Sequence, residues 1–150
     1  MWRARRAPRP SLVVATVTLG LLVLLGSAAC TASKGKPASD QKAMDTIAQQ
    51  IRTTLAQRPD VVNADVGYQN NMNASGRADV GIKVKAGTAF EPVIDEAVRL
   101  IWHSKLNPLS SIRIDVIDAE NLQRGETRHI NLLNSDNKAQ LEGKYGPRPK

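Results

Sequence analysis

Residues 78–85 read ADVGIKVK and residues 111–118 read SIRIDVID. In the first stretch Ala78, Val80, Ile82 and Val84 alternate with Asp79, Gly81, Lys83 and Lys85, and in the second Ile112, Ile114 and Val116 alternate with Arg113, Asp115 and Asp118. A period of two puts one set on each face of a strand, so both stretches read as half-buried strands. Between them Thr88 and Glu91 form a capping-box signature, Ala89 opens a helix, and Pro92 falls in its first turn, where a missing amide proton costs little. That helix is expected to run to about Leu106. Two strands of one sheet joined through a helix run parallel.

The pattern extends outward from this unit. Val62, Ala64, Val66 and Tyr68 alternate with Asn63, Asp65, Gly67 and Gln69, and the loop NNMNASG at 70–76 joins this strand to the next as a hairpin. Upstream, from Asp40 to Gln57, Met44, Ile47, Ala48, Ile51 and Leu55 recur every three or four residues until Pro59, which predicts an amphipathic helix. Downstream, a turn at Arg124-Gly125 precedes a further strand expected over Thr127–Leu133 and a short helix over Ser135–Leu141 ending near Gly143. Lys144, Arg148 and Lys150 then form a basic tail with two prolines, expected to be solvated. The order α-β-β-α-β, with that extra strand and helix, defines an α+β fold. It predicts a two-layer α/β sandwich over residues 40–134, with both helices on the apolar face and the first strand between the second and third. Residues 135–150 make the short helix and tail. From ADVGIKVK to SIRIDVID this topology resembles the alkaline shock protein family and the cytosolic C-terminal domain of cation diffusion facilitator transporters. The resemblance implies a fold only, because the His and Asp set of the transporter domain has no counterpart in this chain.

The chain has 150 residues, 21 Lys+Arg against 14 Asp+Glu, a formal charge of +7 and a single cysteine, Cys30. One small domain fits that length, and one thiol excludes both an intramolecular disulfide framework and a thiolate zinc site. The start is unlike the rest. Arg3, Arg5, Arg6 and Arg9 precede an uncharged run from Ser11 to Ala29, the pattern of a secretory signal. The segment Leu21-Leu22-Val23-Leu24-Leu25 followed by Gly26-Ser27-Ala28-Ala29-Cys30 resembles the lipobox of bacterial lipoproteins. The resemblance implies cleavage between Ala29 and Cys30 and diacylglyceryl modification of Cys30, with palmitate-type chains as the anchor. Ser27 departs from the family, which usually has Leu three residues before the cysteine. An uncleaved signal anchor is the competing reading, since the uncharged run to Ser33 is also long enough to span a bilayer. Residues 30–39 are expected to be the lipidated cysteine and a flexible tether. Loss of residues 1–29 removes the four arginines and leaves 17 bases against 14 acids, so the basic composition gives no case for nucleic acid.

The remaining chemistry is sparse. No G-x-S-x-G elbow and no Gly-rich phosphate loop occurs. His103 shares a helical face with Glu96 and Arg99 and is expected to meet water, and His129 has no local partner pattern. Neither a catalytic residue nor a metal site is assigned, and no cofactor is expected. The open sheet face is expected to show Asp65, Asp79 and Asp115 among Arg77, Lys83, Lys85 and Arg113. Such carboxylates serve acid–base work or bind a hard cation, but with matching bases they read as cross-strand ion pairs. Trp102, beside Val98, lies about 100° or more from the centre of its helix's apolar stripe, so that helix needs a second surface. The first helix, the C-terminal segment or another protein could supply it, which makes Trp102 and Val98 the candidate partner contact.

Together these readings predict a non-enzymatic lipoprotein, lipid-anchored at the extracytoplasmic face of the cell membrane, whose small domain contacts an envelope protein and no nucleic acid. The alternative is a tethered domain that senses a small ligand or cation through the charged sheet face.

Overall fold

The computed structural model of the chain describes residues 38–149. Its elements are α1 (Ala38–Ala56), β1 (Val61–Asn71), β2 (Ala74–Val84), α2 (Phe90–Trp102), β3 (Ser111–Asp118), β4 (Gly125–Asn131) and α3 (Ser135–Tyr145). This is an α+β fold: one four-stranded mixed sheet with order β1-β2-β3-β4, carrying helices on one face and, among the described residues, leaving the other open. β1 and β2 pair antiparallel, β2 and β3 parallel, β3 and β4 antiparallel. The segment after Asp118 therefore joins the sheet.

The core follows the two periodicities. Ala78, Val80, Ile82 and Val84 of β2 and Ile112, Ile114 and Val116 of β3 are buried under Ala48, Ile51 and Leu55 of α1 and under Val93, Ile94, Ala97, Val98, Ile101 and Trp102 of α2. At about 1.5–3 kcal/mol for each fully buried large aliphatic side chain, this shared interior is what holds the layers together.

The strand order departs from expectation in one respect. β1 lies outside β2 at the edge of the sheet rather than between β2 and β3. α2 crosses over one sheet position only, which brings β3 back directly beside β2 and leaves the hairpin partner the other side. Local departures have equally specific causes. The hairpin turns on Met72-Asn73 alone, because the Asn71 side chain accepts from the amides of Asn73 and Ala74 at 2.9 and 3.0 Å and so closes the turn early. A register shift between Val61 and Asn63 turns Val61 into the core and Val62 out to solvent, reversing the expectation for Val62. The capping box does not form: α2 starts one residue late with Ala89 at its N-cap, and Glu91 pairs instead with Arg128 of β4 at 2.8 Å. α2 stops at Trp102 instead of Leu106, as the Ser104 hydroxyl donates to the Ile101 carbonyl at 2.7 Å.

Two expectations for the C-terminal half are also corrected. Asp118 lies on the apolar face, with Ile114 and Val116, and is buried. Its carboxylate accepts from the amides of Glu120 (2.9 Å) and Asn121 (3.2 Å) and from Arg124 (2.9 Å), which ties the end of β3 to the turn before β4. Those bonds, the Glu120 amide foremost, hold its pKa below the ordinary carboxylate value. The Arg124 guanidinium also lies 4.4 Å over the Phe90 ring. The tail is not a solvated appendage. α3 continues through Gly143 to Tyr145, and the chain then folds back so that Arg148 donates to the Leu106 carbonyl.

Gly76 marks a close approach. With φ +64°, a Cβ there would sit 2.6 Å from the Pro108 carbonyl oxygen, while the Gly76 carbonyl accepts from the Ser110 amide at 2.7 Å.

Candidate functional site: the open face and edges of the sheet

Beyond the register shift at Val61, odd-numbered residues of all four strands fill the open face in rows set by the register. Gln69, Arg77, Ser111 and Asn131 form one row, Gly67, Asp79, Arg113 and His129 the next, and Asp65, Gly81, Asp115 and Thr127 the third. Asp65, Asp79 and Asp115 thus share this face, but the ion pairs run along strands instead of across them. Arg77 Nε donates to Asp79 at 2.8 Å and Arg113 Nε to Asp115 at 3.0 Å, each two residues apart on one strand. Gly81 stands between Asp65 and Asp115 and keeps those carboxylates apart, while Asp79 lies between Gly67 and Arg113. Asp115 also accepts from the Thr127 hydroxyl at 2.6 Å, and that bond is the largest cause of its lowered pKa. Among the described residues no group of three His, Cys, Asp or Glu is placed to hold a metal.

Arg77, Arg113, Thr127 and His129 line a shallow depression of about 450 Å³ on this face. His129 is the member that local sequence reasoning missed, since only pairing of β4 with β3 brings it opposite Arg113. The alternation of Glu126, Arg128 and Ile130 with Thr127, His129 and Asn131 was the available signal.

The two edges differ. At β1, α1 reaches over the outer side: Arg52 Nε donates to the Ala64 carbonyl at 3.0 Å and Gln41 Nε2 to the Tyr68 carbonyl at 3.4 Å. At β4, the Asp118 amide donates to the Arg124 carbonyl and the Leu132 amide to the Ser110 carbonyl, so even-numbered residues bond toward β3. The backbone groups of Gly125, Thr127, His129 and Asn131 therefore point outward. Asn137 Nδ2 covers the Asn131 carbonyl at 2.9 Å, while from Gly125 to His129 the strand has no neighbour beyond it among the described residues.

Trp102 and Val98, expected as the candidate partner contact, face inward. Both are buried, and Trp102 Nε1 donates to the Gly146 carbonyl at 2.9 Å. The second surface that α2 requires is the chain's own α3 and C-terminal segment. Tyr145 and Lys144 both donate to Asp95 of α2, which lowers the Asp95 pKa, the lysine bond being the larger cause. His103 is exposed at the end of α2, as expected.

Cys30, Ala28 and Ala29 lie outside the described residues, as does the segment read as a signal or signal anchor. Among the described residues no helix is long and apolar enough to cross a membrane. Comparison with protein-family models, curated proteins and solved structures gives no match.

Proposed function

We propose that the chain is an envelope lipoprotein, anchored at the extracytoplasmic face of the cell membrane through Cys30, whose α/β domain is a non-enzymatic module that docks protein at the β4 edge and the adjoining open face. The observation that carries this reading is the contrast, among the described residues, between a β1 edge where α1 side chains bond the Ala64 and Tyr68 carbonyls and a β4 edge bonded from outside only at Asn131. An unpaired edge offers main-chain donors and acceptors to an incoming strand, and the side chains beside it select the partner. The anchor reading is supported by the basic start, the apolar run and the lone cysteine after two alanines. Seven residues separate Cys30 from α1. They span at most about 25 Å, so lipidation would keep the domain near the bilayer and raise its effective concentration for membrane partners.

The test is chemical cross-linking of the lipidated protein in its native membranes, with mass-spectrometric identification of what is attached. Cys30→Ala should abolish lipid labelling and lose the specific cross-links. Thr127→Pro should lose the cross-links while keeping the lipid, because the Thr127 amide points away from β3 and its removal leaves the ladder intact. Lipid labelling that persists in Cys30→Ala, or cross-links unchanged in Thr127→Pro, would overturn the corresponding half of the reading. A cation or small-ligand sensor ranks second, since Asp79 and Asp115 are already compensated by Arg77 and Arg113.

A further inference from the structure

The open β4 edge is short, and its charges are ordered in a way that bears on what can pair with it. Glu126 and Arg128 lie on the helix-covered side of β4, flanking Thr127, and their side chains are about two-fifths exposed. Thr127 and His129 lie on the open side. An added antiparallel strand must bring its own outward backbone groups opposite Gly125, Thr127 and His129.

For a second copy of the same strand, few registers satisfy that condition. Pairing centred on Glu126 sets the two Glu126 side chains against each other, and pairing centred on Arg128 does the same for the two arginines. Like charges directly opposite are destabilising. Centring on His129 needs the Asn131 carbonyl, which Asn137 already covers. Centring on Thr127 removes every conflict. Glu126 then faces Arg128 of the second copy, the same pair recurs by symmetry, and Thr127 faces its counterpart. On the open face the His129 ring of one copy falls opposite Gly125 of the other, where there is no Cβ to obstruct it, an arrangement that shields an edge glycine.

We propose that a second copy of this chain is the occupant of the β4 edge, paired antiparallel and centred on Thr127, so that two four-stranded sheets join into one eight-stranded sheet. The proposal rests on the reading of β4 as the docking edge and names the partner there. At β1, the other edge of the described sheet, Arg52 and Gln41 occupy the Ala64 and Tyr68 carbonyls, which opposes growth beyond two copies. The contact is isologous, as closed dimers require. Confinement of both copies to one membrane surface would favour it further.

The experiment uses the lipidated full-length chain, purified in detergent, with mass measured by light scattering across a concentration series. The expected mass is that of two chains. Glu126→Arg and Arg128→Glu should each weaken the dimer about tenfold, since each turns both facing pairs from attraction to repulsion. The double swap Glu126→Arg/Arg128→Glu should recover most of the loss. Within its own chain Arg128 also pairs with Glu91 at 2.8 Å and with Glu126 at 2.6 Å, so circular dichroism must show each variant folded, and Thr127→Pro provides a charge-neutral route to the monomer. In membranes, Thr127→Cys should be joined to its counterpart by a short dithiol-reactive linker, whereas Leu122→Cys, in the β3–β4 turn, should not. A monomeric wild type overturns the proposal. If Thr127→Pro also loses cross-links to a different protein, the docking edge stands and the second copy falls. A dimer indifferent to Thr127→Pro and to both charge changes overturns the edge as its site.

Discussion

The β1 and β4 edges bound the same sheet but are finished by different means. At β1 a long amphipathic helix lies over the margin, and its peripheral Arg52 and Gln41 satisfy carbonyls that would otherwise face solvent. At β4 the nearest helix reaches the margin only at its first turn, where Asn137 covers the Asn131 carbonyl and leaves Gly125–His129 open. A helix closes an edge when its polar flank runs along the strand, and α3, anchored inward through Tyr145 and the following segment, does not do so at β4. Charged residues on an open edge keep unrelated strands away, and their order decides which strand is accepted.

The largest effect is expected at the clasp that holds α3 inward. Trp102→Ala removes a fully buried indole and its bond to Gly146, and should cost about 3–5 kcal/mol in denaturant unfolding, with the C-terminal segment released. A loss below about 1 kcal/mol would show that the tail is not held by Trp102.

Acid should act next, and mainly on the β4 side. Asp95, Asp115 and Asp118 tie α3, β4 and the β3–β4 turn in place, and all three have lowered pKa values. A carboxyl whose folded pKa lies below its unfolded value stabilises the fold at pH values above the unfolded one. That stabilisation is lost as pH falls through the folded value, so the decline should begin below about pH 4. Unfolding followed by peptide-resolved exchange should show the β4–α3 segment yielding before the β1–β2 hairpin as pH falls. The reverse order would contradict this account.

Smaller effects sharpen the contrast. Asn134 caps α3 by accepting from the amides of Asp136 and Asn137, so Asn134→Ala should cost about 1 kcal/mol and loosen the one contact that covers β4. Arg52→Ala should cost about 0.5–1.5 kcal/mol by chemical denaturation, and should add association through β1 that Thr127→Pro does not reverse. Thr127→Pro should change stability least while removing association at β4. The decisive comparison is between those last two variants by light scattering.

Much of this architecture was legible because the periods are clean. The alternation of Ala78 to Val84 and Ile112 to Val116 placed two strands and their buried faces, and the stripe from Met44 to Leu55 placed α1. The C-terminal part was read only in outline. Its alternation is carried by Thr127, Arg128 and His129 rather than by large apolar residues, and the burial of the tail depends on Trp102 meeting Gly146, forty-four positions away. Val62 misled because a bulge beside it exchanges the two faces, which no periodicity reports. Asp118 misled for a related reason: a polar residue on the inner face signals a hydrogen-bonded turn, and only the positions of Gly87, Glu120, Asn121 and Arg124 reveal its partners. The acidic residues of the open face were placed correctly on it, but alternation does not report that each of Asp79 and Asp115 pairs with the arginine two residues before it on its own strand. The two edges were invisible at that level, since which backbone groups point outward depends on the strand order and its hydrogen-bond phase.

The most direct measurement is amide hydrogen exchange over residues 125–131, compared between the lipidated protein in its native membranes and the Thr127→Pro variant in the same membranes. The outward amides of Gly125 and His129 should exchange slowly in the wild type and fast in the variant, with β3 equally protected in both. Fast exchange over this segment in both proteins would contradict that expectation, because an edge that takes no strand in the membrane is not the docking surface.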